Sequence, residues 1–326
     1  MQQTQLIEQV LAKYPFLIDI GDDQGGNALQ SAAGSGDKRA FNLLLKFGFD
    51  PYKKDRDNGH TVLTCACQNG RTDMVKYLIE TYPALLQENT DIRGKSLLYW
   101  AAFSGKTDMF KYMLSVFQNE NILRISRYNK PKVDKKNNSG QSILHIACKK
   151  GHYDMSEYLL SRYPQLLDVR DNNGENVLHH AAQVGNVDLF KYLSSKGLNV
   201  NDTTNTGQTV LHICCAMGKE EMCRYLVNMY PCLKSVRDNN GLTVLHSACI
   251  GGSLEIVSFL IEKGLNVNAL SNDGKSILHR ACLSGKFEIC EYLVENHSHL
   301  LDVRDRYSNS VLHDAAWGGN VQTLNY

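Results

Sequence analysis

Between Asn27 and Gly319 one arrangement of apolar and polar positions returns nine times. Its clearest form is TVLHSACIGG, Thr243 to Gly252. A small polar residue is followed by two apolar residues, a histidine, a variable place, two small residues and, at the end, a glycine. With the leucine of the third place as marker, the series is Leu29, Leu63, Leu98, Leu144, Leu178, Leu211, Leu245, Leu278 and Leu312. Successive leucines stand 33 to 35 residues apart, except for one step of 46 between Leu98 and Leu144. A fixed period of this length marks a stacked array, in which each small unit buries its apolar face against its neighbours.

The same register predicts the elements of each repeat: a turn, a short helix, a tight reversal, a second helix and an exit loop. Four places before the leucine stands a glycine in eight repeats (Gly25, Gly59, Gly94, Gly140, Gly174, Gly207, Gly241, Gly274), and Ser308 in the ninth. Asn or Asp beside such a glycine suits a hairpin tip that requires positive φ. Two places before the leucine come Asn27, Thr61, Ser96, Ser142, Asn176, Thr209, Thr243, Ser276 and Ser310. All are residues whose side-chain oxygen accepts from a free backbone N–H of the first turn, so the first helix begins there. Seven places after the leucine a glycine stands in every repeat, from Gly36 to Gly319, and is expected to close that helix as a left-handed cap. Both helices are too short to persist alone, so stability must come from stacking.

Taken in order, residues 1–22 read as half a repeat, because QVLAKYPFLIDIGD aligns with the second helix and exit loop YLLSRYPQLLDVRD. Repeats then begin near 22, 56, 91, 137, 171, 204, 238, 271 and 305, and 1–326 is expected to form one array. The Leu29 repeat diverges most, with Gln30 in the histidine place and Pro51 in its exit loop. The long step is a basic insertion over 115–137, which carries Arg124, Arg127, Lys130, Lys132, Lys135 and Lys136. Pro131 and Asn129 argue for an irregular loop in its second half, while NILRISRY is suited to prolong the helix before it. Exit loops of the form RYPQLLDVRD then alternate with KGLNVNDTT, so that like loops recur every second repeat. The last repeat ends at Tyr326 where others are in mid second helix, and the chain is expected to be a fragment of a longer product.

Thr209, Leu211, His212 and Gly218, with Gly264, Asn266, Val267 and Asn268 of an exit loop, match the motif of a known family, and the chain resembles an ankyrin-repeat protein over nearly its whole length. The resemblance implies an all-α solenoid of stacked helix-turn-helix units with β-hairpin-like turns. It implies a non-catalytic scaffold or adaptor whose protein partner binds on the concave surface of hairpin tips and first helices. It also implies that the histidine bonds the Thr or Ser of its own motif and the backbone of the next repeat. One departure is Val or Ile where the family has proline, as at Val210, Val244 and Ile277. Proline there suits the first helical turn, so its loss weakens pre-organisation only.

Composition adds little against this reading. Apolar residues make up 43% and charged residues 21%, enough for a core. With 35 basic against 34 acidic residues the chain has no overall attraction for nucleic acid or anionic membrane. No apolar run is long enough for a membrane span, and MQQTQLIEQVLAKYP lacks a secretory pattern, so a monomeric cytoplasmic protein is expected. Of the ten cysteines, Cys67, Cys148, Cys214, Cys215, Cys249 and Cys282 occupy the small-residue pair, and Cys223 and Cys290 the apolar stripe of a second helix. Only Cys65 and Cys232 are expected near the surface, and the set reads as free thiols in a reducing compartment.

Most residues capable of chemistry hold fixed places in the repeat. His145, His179, His212, His246, His279 and His313 are a repeat apart, too far to share one ion. The neighbours His179 and His180, and Cys214 and Cys215, are expected to point different ways on their short helices, unlike a zinc site. No phosphate loop, dinucleotide fingerprint, nucleophile elbow or zinc-protease motif is present, so neither enzyme nor cofactor is expected. Glu220 and Glu221 open a second helix, where the helix dipole favours them.

What varies around the constant frame marks the partner surface. Trp100, His180 and Arg280 lie two places after their leucines, and Lys95, Glu175, Leu242 and Lys275 follow turn glycines. Large aromatic and Arg side chains make good anchors, so these seven are the candidate contacts. Lys130, Lys132, Lys135 and Lys136 are candidates for an acidic or phosphorylated ligand. A different class of reading makes the array the regulatory or targeting region of a larger protein, such as an ion channel, kinase or ubiquitin-ligase adaptor.

Overall fold

The computed structural model describes residues 2–23, 25–87, 90–119 and 132–325. The chain divides into two compact bodies, residues 1–169 and 170–326. Each is a succession of paired α-helices, and no β-strand occurs among the described residues. The Leu211 repeat shows the plan: a first helix Val210–Ala216, a second helix Glu220–Met229, and a short 3-10 turn Pro231–Ser235 leading to the next hairpin. Isolated bridges Thr90↔Ser96 and Arg237↔Thr243 are the only ladder pairing seen at the hairpins among those residues.

The small polar residue caps as the sequence requires. Thr209 and Thr243 each accept from the backbone N–H of the histidine three places on, and the histidine Nδ1 accepts the backbone N–H of the capping residue in return. Because Nδ1 is an acceptor there, Nε2 carries the proton and is free to donate. In the C-terminal body Nε2 of His212 donates to the Leu242 carbonyl at 3.2 Å, that of His246 to Lys275 at 3.2 Å, and that of His279 to Asn309 at 3.4 Å. One imidazole thus caps its own helix and ties down the following hairpin. Gln30 does the same work in the Leu29 repeat: its Oε1 accepts the Asn27 N–H at 2.7 Å and its Nε2 donates to the His60 carbonyl at 2.7 Å. The apparent divergence at this place is a replacement of one donor-acceptor pair by another.

The hairpin tips are fastened by residues the repeat pattern did not single out. Three places before most turn glycines stands an acceptor that takes two backbone N–H groups of the tip. Asp91, Asn137, Asp171, Asp238 and Asp305 all do so through Oδ1. Asparagines then run from tip to tip: Asn205, Asn239 and Asn272 each bond the preceding tip through both backbone N–H and side-chain amide.

The first eight marker leucines are 0–1% exposed, whereas Leu312 is 62% exposed. All nine closing glycines have positive φ, as do the eight tip glycines. Ser308 adopts the same left-handed conformation at φ 64°, the one non-glycine residue among those described to do so. A Cβ there is strained, so Ser308→Gly is expected to raise stability by about 0.5–1 kcal/mol after allowing for the glycine's greater chain entropy. A urea midpoint that stays or falls would contradict the assignment.

Candidate functional site

The face built from hairpin tips and first helices is where variable residues gather, and the structure shows what becomes of each. Trp100 is only 4% exposed. Its indole meets His60, Tyr99 and Phe103 edge-on with ring centroids 5.0, 5.7 and 5.2 Å away, and the Lys95 ammonium sits 4.6 Å from its ring centroid. Burial lowers the Lys95 pKa. Trp100 therefore packs against the neighbouring repeat and has little surface left for a partner, and the same holds for the buried Leu242 and His180. The anchor role expected of these three gives way to a packing role.

Of the remaining candidates, Glu175, Lys275 and Arg280 are each engaged by a group of opposite charge or an imidazole nearby. Glu175 and His180 stand 3.9 Å apart, and Asp171 approaches the same imidazole at 3.6 Å. Burial pushes the Asp171 carboxyl up, but His180 and the backbone N–H groups of Glu175 and Asn173 outweigh it and hold it at about 2. Ligand atoms of Asp171, Glu175 and His180 lie within 4.8 Å of one another. Asp171 Oδ1 is already committed to the tip, which leaves this trio acting as a buried brace. Lys275 bonds Asp314 at 2.6 Å and lies 3.9 Å from Asp305, while Arg280 holds Asp273 at 2.9 Å. Pairs that close on themselves in this way present less charge outward than their sequence suggests.

In the N-terminal body this face keeps a hollow of about 380 Å³ between the first helices of the Leu29 and Leu63 repeats. Asp22, Gln30, Asp55, His60, Cys65 and Asn69 are among its lining residues. Its two lining carboxylates, Asp22 and Asp55, give it an acidic character, and Asp22 accepts the Gly26 N–H at 2.8 Å while remaining exposed. Burial, with the nearby Asp55 and Asp22 carboxylates, raises the Cys65 thiol to about 12, so it lines the hollow as a neutral group. None of these residues was singled out for binding from the sequence. The signal available was the in-phase acceptor before the tip, which marks Asp22 but not Asp55, since Arg56 holds that place in the Leu63 repeat and Asp55 stands one residue earlier.

Of the basic insertion, Lys130 with Arg124, Arg127, Asn129 and Pro131 lies outside the described residues, as does the NILRISRY segment. Lys132, Lys135 and Lys136 are exposed. No helix among the described residues is long and apolar enough to cross a membrane.

The cysteines fall mainly inside, with Cys65 half-buried and Cys232 exposed. One expectation is corrected. Cys214 and Cys215, adjacent on one helix, do not diverge beyond reach: their sulfurs and that of Cys223 lie within 4.8 Å of one another. The second helix packs across this end of the first, so both neighbours meet the same partner.

A family model described as Ankyrin repeats (3 copies) matches in overlapping windows at residues 2–85, 29–124, 81–169, 113–204, 163–238, 196–271, 229–305 and 266–326. No curated protein matches the chain.

Proposed function

This chain belongs to the ankyrin-repeat family, whose repeats are protein–protein interaction modules, and from that premise we propose that it is a non-catalytic scaffold or adaptor engaging a protein partner along the hairpin-tip and first-helix face. The observation that carries the proposal is the acidic hollow between the Leu29 and Leu63 repeats, where two carboxylates line a cavity on this face. It suits a partner segment that inserts a Lys or Arg side chain, since the charge would be met by Asp22 and Asp55. Trp100, buried against His60, backs one wall of the hollow and leaves little surface for a partner. The free thiols placed as packing residues favour a reducing, cytoplasmic setting.

The test is quantitative cross-linking of the tagged chain in its source cell. Proteins captured by the wild type are expected to be lost with Asp22→Lys and kept with Glu157→Lys, which changes a second helix of the same body. Equal loss from both variants, or none from Asp22→Lys, would contradict the assignment of the surface.

A further inference from the structure

The Leu211 repeat differs from its relatives in a way that packing does not require. Three places after the marker leucine stand Ala32, Ala66, Ala101, Ala147, Ala181, Ala248, Ala281 and Ala315 in eight repeats, and Cys214 in this one. Alanine meets the demand for a small residue there, so the thiol is an addition. The next place is Cys215, and twelve after the leucine, where the other repeats carry Phe, Val, Ser or Leu and the Leu278 repeat alone among them also has a cysteine, Cys290, comes Cys223. All three side chains are 0% exposed. The Sγ atoms of Cys215 and Cys223 are 3.6 Å apart, and Cys214 Sγ lies within 4.8 Å of both.

Sulfurs bonded at ~2.3 Å to one centre stand about 3.5–4 Å from each other. The three thiols are therefore near the spacing of a trithiolate site and need only small shifts to close it. Charge decides what such a site would take. A divalent cation held by three thiolates leaves a net negative charge in the core and wants a fourth ligand, and no fourth His, Cys, Asp or Glu joins the cluster among the described residues. A neutral trivalent hydroxide has neither difficulty. Arsenous acid condenses with three thiols, As(OH)3 + 3 RSH → As(SR)3 + 3 H2O: three S–H and three As–O bonds break, three As–S bonds form, and the protons leave in the water. No oxidant is consumed and no charge enters the core. The arsenic replaces the three thiol hydrogens, and entry requires only local opening of one helix pair.

We propose that Cys214, Cys215 and Cys223 form a binding site for trivalent thiophilic hydroxides of the arsenite class. The Leu278 repeat supplies an internal control. Its Cys282 and Cys290 sulfurs are also 3.6 Å apart, but Ala281 stands where the third thiol would be.

The full-length chain, reduced with a phosphine, is incubated with inorganic arsenite and measured by native mass spectrometry and arsenic K-edge absorption. One arsenic per chain is expected, with loss of three protons and a shell of three sulfurs. Cys214→Ala installs the residue of the other repeats, and Cys223→Val the residue of two of them; each is expected to weaken binding at least about tenfold, while Cys282→Ala leaves it unchanged. Melting curves of the arsenic-free proteins establish that the variants are folded. No bound arsenic, a mixed sulfur and oxygen shell in the wild type, or undiminished binding by folded Cys214→Ala would overturn the proposal. The wild-type shell is read independently of whether any variant folds.

Discussion

Between pH 6.5 and 4 the chain is expected to lose several kcal/mol of stability, in a decline that begins above the range in which its carboxylates titrate. Burial pushes the imidazoles of His179 and His246 down to about 4, and it lowers those of His212 and His279 as well. For His179 the neighbouring His180 and Arg170 charges add to the effect; for His246 the Lys275 carbonyl opposes it. In the unfolded chain these groups titrate near 6.5, so over this window the unfolded state binds the extra protons. Stability is fully present above 6.5 and falls as the pH drops toward the folded values. Each of the two largest shifts is worth about 3 kcal/mol when the window is crossed. The lowered carboxyl of Asp171 acts in the same direction but only below its own ordinary range. Urea midpoints followed by circular dichroism from pH 7.5 to 4 would show the decline. A flat profile down to pH 4.5 would mean that the imidazoles are not held neutral.

Leu211→Ala is expected to cost about 2–5 kcal/mol, because the side chain is fully buried where its own helix meets the first helices of the repeats around it. Leu312→Ala removes the same atoms at the equivalent place, yet its side chain is 62% exposed, and the cost should be below about 1 kcal/mol. The pair separates packing from helix propensity, which is the same at both sites. Equal losses at the two leucines would show that stacking is not what holds Leu211.

The backbone frame was legible because it depends on residue types that local geometry dictates. A glycine at φ 72° for Gly151, or an oxygen at the Thr243 cap, is demanded by the chain's own turn, so nine copies in phase leave little to decide. The binding face was not legible for the opposite reason. Trp100 lies two places after its leucine, as a contact residue should, but its burial depends on His60, forty residues earlier, and on Lys95 folding over the ring. Gln30 looked like decay until its amide was seen to bond the Asn27 N–H and the His60 carbonyl. The hollow beside Asp22 and the meeting of Cys214 with Cys223 likewise arise from segments brought together only by stacking and helix pairing.

If the polar groups of the repeated phrase serve the fold, then partner recognition must lie in the variable residues between them, and glutamine should replace histidine as it does at Gln30. The triple variant His179→Gln, His212→Gln and His246→Gln puts this to the test through its urea midpoint as a function of pH. The expected result is a folded protein within about 1–2 kcal/mol of the wild type at pH 7.5 that has lost most of the decline between pH 6.5 and 4. A variant that is unfolded at pH 7.5, or one that keeps the wild-type acid profile, would contradict the account.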